Sequence, residues 1–431
     1  MSIFENIRDR LAEIPVIDAH EHICDFRDCS PDIQVTTFLF GGWMGLVTDS
    51  GDDEHSESER WRRFLEIWPK VRGTAPGSIL SRILRMWGID DNLTDSSYDA
   101  LTAKISRRSP DTGRMQFKKA NIRGVLPHYL THPCCGGLAN LGPFFKREFE
   151  FEPGFFPLLG TVPLHDFHAK SHITDLEPLA DMEIRGLGDL EKALERIIEL
   201  STKFGVVGLK DHSAYTRGLA FGTPDRRAAE NTLQEILGGT CLITGNEAFP
   251  NTHKLSDYLF DRIVQIAIDH DLPIALHTGV LAGGRMPETA SITSFIPVLE
   301  RYPLARFELY HLNYPWIADF TEIIRRYPNT FANCTWAHVL DPAATEQFLF
   351  GALGSFPADR IIAYGGDYLE SVERQIACLD FTKCTVARAL ERGVSNAQLS
   401  VQNAEDIATQ WFFKSSNTLY KLGLDYRAGG S

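Results

Sequence analysis

Residues 16–22 read VIDAHEH, and the rest of the chain is read outward from them. Val16, Ile17 and Ala19 give the stretch the composition of a short buried strand, and a strand sets the side chains at i and i+2 on one face. His20 and His22 then leave the strand end side by side, with Asp18 one step deeper on the same face. Two imidazoles so placed can grip one divalent ion from one side, and Asp18 could orient a ligand from behind. His-x-His alone is a weak signal, because two surface or packing histidines have the same spacing.

Seven more apolar runs follow: 121–129, 155–164, 206–210, 272–277, 306–311, 330–336 and 360–367. Helix-length amphipathic segments such as 256–271 and 315–328 lie between the later ones, the alternation that marks βαβ units and a parallel sheet. Right-handed crossovers wind such a series into a barrel or an open doubly wound sheet. No Gly-x-Gly-x-x-Gly or Walker-type loop follows a strand, which weakens a nucleotide-binding reading. His277 ends LPIALH, His311 ends RFELYH and Asp367 ends the run IIAYGGD. Strand ends are where (β/α)8 barrels carry their chemistry. Each residue has a plainer reading: a hydrogen-bonded rim histidine, or, for Asp367, the cap of a helix over 370–391. Four strand ends supplying His, His, His and Asp together favour a metal site, and the expected fold is an α/β (β/α)8 TIM barrel.

The first connection departs from that pattern. Residues 24–120 contain helical stretches (58–71 and 77–89) and are expected to form a helical cap inserted over the barrel mouth, since structureless loops of that length are rare. A second insertion spans 211–255, and 395–422 reads as closing helix. No repeat or linker divides the chain, so residues 1–431 are expected to form a single barrel.

Composition bounds the partners. The hydrophobic fraction is 43%, enough for a large core, and 57 acidic against 43 basic residues give a net charge of −14. That balance argues against a nucleic-acid partner and leaves room for a small anionic substrate met by one or two local cations. Cysteines at 24, 29, 134, 135, 241, 334, 378 and 384 form no Cys-x-x-Cys pair and read as reduced thiols of a cytosolic protein. The N-terminus has no apolar signal core and no segment reaches membrane-span length, so a soluble, cytoplasmic protein without a membrane partner, assembled as a homo-oligomer, is expected.

VIDAHEHI (16–23), GLKDH (208–212), ALHTG (275–279), LYHLNYPW (309–316), YGGDY (364–368) and QNAEDI (402–407), in this order along the chain, resemble the amidohydrolase superfamily, specifically its amidohydrolase-2 branch. The two long insertions lie outside the resemblance. ALHTG and the proline turn after His311 are also similar to hydrolase domains associated with glutamine synthetase; the likeness to uronate isomerases is weaker. The resemblance implies that His20, His22 and His277 are metal ligands, that Asp367 ligates metal or accepts a proton from water, and that His311 binds a second metal or assists the substrate. It leaves Lys210 open between a substrate anchor, a carboxylated bridge between two metals and a structural ion pair. His212, Tyr215, His128, Trp336 and His338 are candidate substrate contacts, while Arg123 and Arg217 could meet a substrate anion. Zinc suits neutral imidazoles, and manganese or iron would also fit.

The expected function is a metal-dependent hydrolase of a small carboxylated substrate, using a metal-activated water, with an amide or other C–N bond first and a lactone or ester second. The alternatives are a non-oxidative decarboxylase on the same site, a uronate-isomerase-like enzyme, and a binding barrel without catalysis.

Overall fold

The apolar runs of the sequence become eight short parallel strands: β1 (Val16–Glu21), β2 (Ile122–Pro127), β3 (Leu158–Gly160), β4 (Gly208–Asp211), β5 (Ile274–Leu276), β6 (Phe307–Leu309), β7 (Thr330–Asn333) and β8 (Ile361–Ile362). The computed structural model describes residues 2–23, 25–26, 29–48, 55–128, 130–131, 137–239, 252–368 and 371–427. Expectations that fall on parts of the cap and on 240–251 of the second insertion lie outside these residues.

β1 pairs with β2, and β3 to β8 pair in chain order. Two seams join the pieces into a ring. Between β2 and β3, Val125 bridges Phe155 and Leu130 bridges Leu159, both parallel. Between the chain following β8 and β1, the Ala19 amide donates to Tyr364 O at 3.2 Å and the Asp367 amide to His20 O at 2.8 Å. First and eighth strands are therefore neighbours, as a closed barrel requires. The ladders are shorter than the apolar runs that announced them. The run at 155–164, for example, leaves the sheet and turns into a short helix, Val162–His165, with Pro163 in the first turn, where its missing N–H costs nothing.

The ring is filled by Ala19, Leu126, Leu158, Ala275, Tyr310 and Ile362. Leu419 and Tyr420, at the end of the helix Ser415–Leu419, join this cluster and close the floor at the strand starts. Glu308 of β6 also points inward, where Asn333 Nδ2 donates to it at 2.7 Å and the Tyr420 hydroxyl donates to its other oxygen. Burial pushes its carboxyl up to about 7 against these hydrogen bonds. A carboxyl raised in the fold contributes stability that is complete below its unfolded value and is lost as pH rises through the folded one. Glu308 is thus expected to lower stability by on the order of 3 kcal/mol between about pH 4.5 and 7. Glu308→Gln should flatten the fall in urea midpoint over that window. An unchanged slope would show that the group titrates normally.

Residues 35–119 supply helices Val35–Phe40, Glu57–Val71, Ala75–Met86, Ser97–Ile105 and Pro110–Lys119, with a 3-10 turn at Gly42–Leu46. In Glu57–Val71, Trp61, Phe64, Trp68 and Val71 recur at helical spacing and are buried, and a Ser56–Glu59 capping box starts the helix. The layer is tied to the helix Val372–Ser395, which follows β8, by Arg82–Asp380 at 2.6 Å and the buried pair Arg108–Glu373 at 3.2 Å. Arg374 of that helix also donates to Phe38 O. This fastening sets the 42–46 turn over the strand ends. No helix among the described residues is long and apolar enough to cross a membrane.

Candidate metal centre

His20 lies on β1 and is 2% exposed. Its ring packs between His128 and Tyr310, with centroids 4.1 and 4.2 Å away. Burial, then the neighbouring His128 and Lys210, hold its pKa well below the usual imidazole value. A neutral ring with a lone pair results, the form that binds metal. His311 is likewise fully buried and kept neutral, by burial first and His277 next. It sits just beyond β6 in a turn where His311, Leu312 and Asn313 all have positive φ, and Trp336 and Asp367 share that left-handed region after β7 and β8. Non-glycine residues pay about 1–3 kcal/mol for such backbone, and it concentrates at functional sites.

Asp367 is the hub. Its Oδ2 lies 3.2 Å from His20 Nε2 and 3.9 Å from His311 Nε2, while Oδ1 lies 2.8 Å from His22 Nε2. Among the described residues, one group of potential ligand atoms lies mutually within 4.8 Å: His20, His311 and Asp367. The expected set of His20, His22, His277 and Asp367 lies around this place, but the tightest group includes His311, expected to bind a second metal or assist the substrate, and leaves His22 and His277 on its flanks. The reason is ring orientation. His277 Nε2 is 2.9 Å from Val280 O, and His311 Nδ1 is 3.0 Å from Thr335 O. A carbonyl only accepts, so both of those nitrogens carry the proton. The nitrogens left over, His277 Nδ1 and His311 Nε2, face each other at 3.1 Å. Either a proton on one of them or a cation beside both satisfies the pair. Ligand atoms around one tetrahedral zinc are roughly 3.3 Å apart, so the spacing fits shared ligation.

Three carboxylates crowd the β1–β8 seam. Asp18 accepts from the Gly366 amide at 2.9 Å and the His20 amide at 3.3 Å, so it holds backbone rather than an imidazole, and burial raises its pKa to about 7. Glu21, which the alternation of the strand set on the far face, is fully buried and accepts from the His22 amide at 2.8 Å. Burial and then Asp18 raise it well above its ordinary value. Gly365 and Gly366 admit this crowding: a Cβ on Gly365 would come within 2.7 Å of His20 Cβ, and one on Gly366 would reach 3.0 Å from Asp18 Oδ2.

Lys210 is fully buried inside the barrel, its Nζ 3.5 Å from the Tyr310 ring centroid and without a hydrogen-bond partner among the described residues. Burial holds its pKa well below the usual amine value, against the opposing pull of Asp367 and Glu308. It lies beneath the cavity wall rather than on it. The adjacent Asp211 accepts from His165 Nε2 at 2.9 Å, Thr161 Oγ1 at 2.8 Å and the Ser213 amide at 2.9 Å.

A cavity of about 600 Å³ opens above the histidines, and its lining includes His212, Tyr215, Trp336 and the metal-centre residues His20, His22, His277 and Asp367. Trp336 stacks on His311 at 4.2 Å, and Tyr215 packs against His277 at 4.6 Å. His128 and His338 stand off this wall: His128 Nε2 meets the Tyr310 hydroxyl at 3.2 Å, and His338 Nε2 donates to Ala363 O at 2.9 Å. Burial lowers His338 to about 4. Arg217 forms a buried pair with Asp257 at 2.7 Å, and Arg123 donates to Asn121 at 2.7 Å near the start of β2, so neither is placed to meet an anion in the mouth. Trp43, Leu46, Tyr368 and Arg374 also line the cavity, and nothing in the sequence pattern singled them out.

Fold and site together define a (β/α)8 barrel enzyme whose mouth carries four histidines and an aspartate. Residues 185–375 match the family model described as Amidohydrolase, so this stretch of the chain is similar to the amidohydrolases. Solved structures share the whole architecture. Uronate isomerase from Thermotoga maritima superposes with a TM-score of 0.73 at 12% identity, covering 97% of each chain. Glucuronate isomerase from Caulobacter crescentus gives 0.71 at 14% identity over 98% of this chain and 94% of that one. A Lactobacillus casei protein described as a metal-dependent hydrolase gives 0.64 at 14% identity over 97% and 98%. At these identities the likeness is one of fold. No curated protein matches the chain in sequence.

Proposed function

We propose that the chain is a divalent-metal-dependent hydrolase of a small carboxylated substrate, cutting an amide or other C–N bond first and a lactone or ester second. The observation that carries this reading is the gathering of donor atoms from His20, His311 and Asp367 within 4.8 Å of one another, with His277 Nδ1 3.1 Å from His311 Nε2. His20, His22, His277, His311 and Asp367 are the residues that would hold the ion; zinc fits a nitrogen-rich set with one carboxylate, and manganese or iron would also fit. When bound, the ion supplies Lewis acidity toward a carbonyl oxygen and an acidified water.

The remaining chemistry belongs to the chain. Burial raises the Asp367 carboxyl above its ordinary value and the His22 hydrogen bond opposes it, which favours a group that takes up a proton more readily than an exposed carboxylate. Asp367 takes the proton of the attacking water at a carboxylate oxygen and returns it to the leaving nitrogen. The carbonyl carbon gains a C–O bond and loses its C–N bond, with no other reagent needed. Trp336 holds the His311 ring by stacking, and Lys210 sets the field beneath the ligands.

Stripping the purified protein with a strong chelator should abolish cleavage of a panel of N-acyl amino acids and small lactones, and zinc or manganese should restore it. Full activity with metal at background sinks the reading. Release of carbon dioxide in place of amine or alcohol would assign decarboxylation to the same residues, and interconversion of glucuronate with its ketose would assign isomerisation, the activity named for two of the structural neighbours.

A further inference from the structure

The cavity wall is built unlike a binding site for a polyhydroxylated molecule. Trp43, from the 3-10 turn Gly42–Leu46, meets Trp336 edge to face, with ring centroids 4.5 Å apart at 83°. Both indoles are 9% exposed and border the cavity. Val162 and Pro163, which open the short helix after β3, add further apolar wall. Leu46 stands at the rim and is 44% exposed, and a Cβ on Gly284 would come within 3.0 Å of its Cδ2, so the cap and the loop after β5 meet there. Met286, on that same loop, is 51% exposed.

The wall also carries polar side chains, among them Thr131, His212, Tyr215, Thr216 and Tyr368, some of them committed to the fold: Thr131 Oγ1 donates to Gly160 O at 2.8 Å. Tyr215 Oη accepts from the Ala282 amide at 3.0 Å. Among the described residues lining the cavity, Arg374 is the single lysine or arginine, and Asp367 is the single acidic residue. A substrate with a hydroxyl on every carbon would set several of them against Trp43, Leu46, Val162 and Pro163. Each polar group buried without a partner costs about 1–3 kcal/mol. An aryl group would instead meet ring edges and faces, worth about 0.5–1.5 kcal/mol beyond the area it buries.

We propose that the substrate carries a flat apolar group, aryl or similarly unsaturated, beside its reacting carbonyl, and that Trp43 and Leu46 of the cap select for it against polyhydroxylated acids. The assignment of a reacting carbonyl rests on the metal-hydrolase reading, whereas the preference of the cavity does not. The indole of Trp43 touches Trp336, which stacks on His311, so the selecting group lies one ring away from the metal centre.

Calorimetric titration of the metal-free protein with phenylacetate and with glucuronate tests the preference without any turnover. Phenylacetate is expected to bind at least about tenfold more tightly. Trp43→Ala and Leu46→Ser should each weaken phenylacetate by about threefold to tenfold and leave glucuronate unchanged. Leu46 is at the surface, so its variant decides the matter if Trp43→Ala fails to fold. Glucuronate binding as tightly as phenylacetate, or an unaffected phenylacetate affinity in Leu46→Ser, overturns the proposal. Zinc uptake on reloading the same preparations keeps the two readings apart: an aryl preference in a chain that takes up no metal would leave the cavity assignment standing and remove the hydrolase.

Discussion

His311→Ala is expected to weaken zinc binding by more than roughly 100-fold, read by competition with a chromophoric chelator. Residues standing merely behind metal ligands cost about 10–100-fold when removed, and His311 belongs to the tightest group of donors in the mouth. Its Nε2 lies 3.1 Å from His277 Nδ1 and 3.9 Å from Asp367 Oδ2, so its loss opens two edges of the site together. The zinc-loaded variant is expected to lose the added stability that metal gives the wild type in urea. His338→Gln is the matched control: that ring is buried nearby but donates to Ala363 O, so metal affinity should stay near wild type. Asp367→Asn separates holding from proton transfer, with turnover falling about 10²–10⁴-fold even where metal is retained. Unchanged zinc affinity in His311→Ala would remove His311 from the donors and return the ligand set to His20, His22 and Asp367.

The barrel was legible because each of its strands is buried on both faces and so reads as a nearly unbroken apolar run. The strand-end histidines were legible for the same reason, standing where the apolar run stops. What the sequence did not disclose follows from backbone geometry and long-range contact. The positive φ at His311, Leu312 and Asn313 carries no glycine to announce it, and that turn swings His311 into the centre of the donors. The pairing of β1 with β2 shifts register between Asp18 and Glu21, which brings Glu21 round beside Asp18 when strict alternation would send it away. Lys210 matched a motif yet ends under Tyr310, because the β4 face it occupies points into the barrel and not up to its mouth. Trp43 and Leu46 reach the cavity only through contacts of the 35–119 helices with Val372–Ser395, which no local periodicity encodes.

The largest effect on folding is expected at a residue beside the metal centre. Asp211→Ala should destabilise the protein by about 3–5 kcal/mol, the usual cost of removing one partner from a buried charged network. Since domains are stable by only about 5–15 kcal/mol, that is a large share of the whole. Asp211 is fully buried at the end of β4 and receives His165 Nε2, Thr161 Oγ1 and the Ser213 amide, which together fasten β3, β4 and the loop carrying His212. Alanine would leave His165 Nε2 and the Ser213 amide without their acceptor in a buried space, while Thr161 Oγ1 would keep Lys210 O at 3.3 Å. Burial alone would raise the Asp211 carboxyl, but the hydrogen bonds from His165, Ser213 and Thr161 prevail and hold it below its ordinary value. For a carboxyl depressed in the fold, the stabilisation is present above the unfolded pKa and is lost as pH falls through the folded one. Wild type should therefore shed this contribution below about pH 4, whereas Asp211→Asn, which keeps an acceptor for Ser213, should start lower and lack that part of the acid-induced loss. Urea unfolding of the three proteins at pH 7 and through the acid range reads both effects. An Asp211→Ala variant within about 1 kcal/mol of wild type at pH 7 would show that the network is not what secures this side of the barrel.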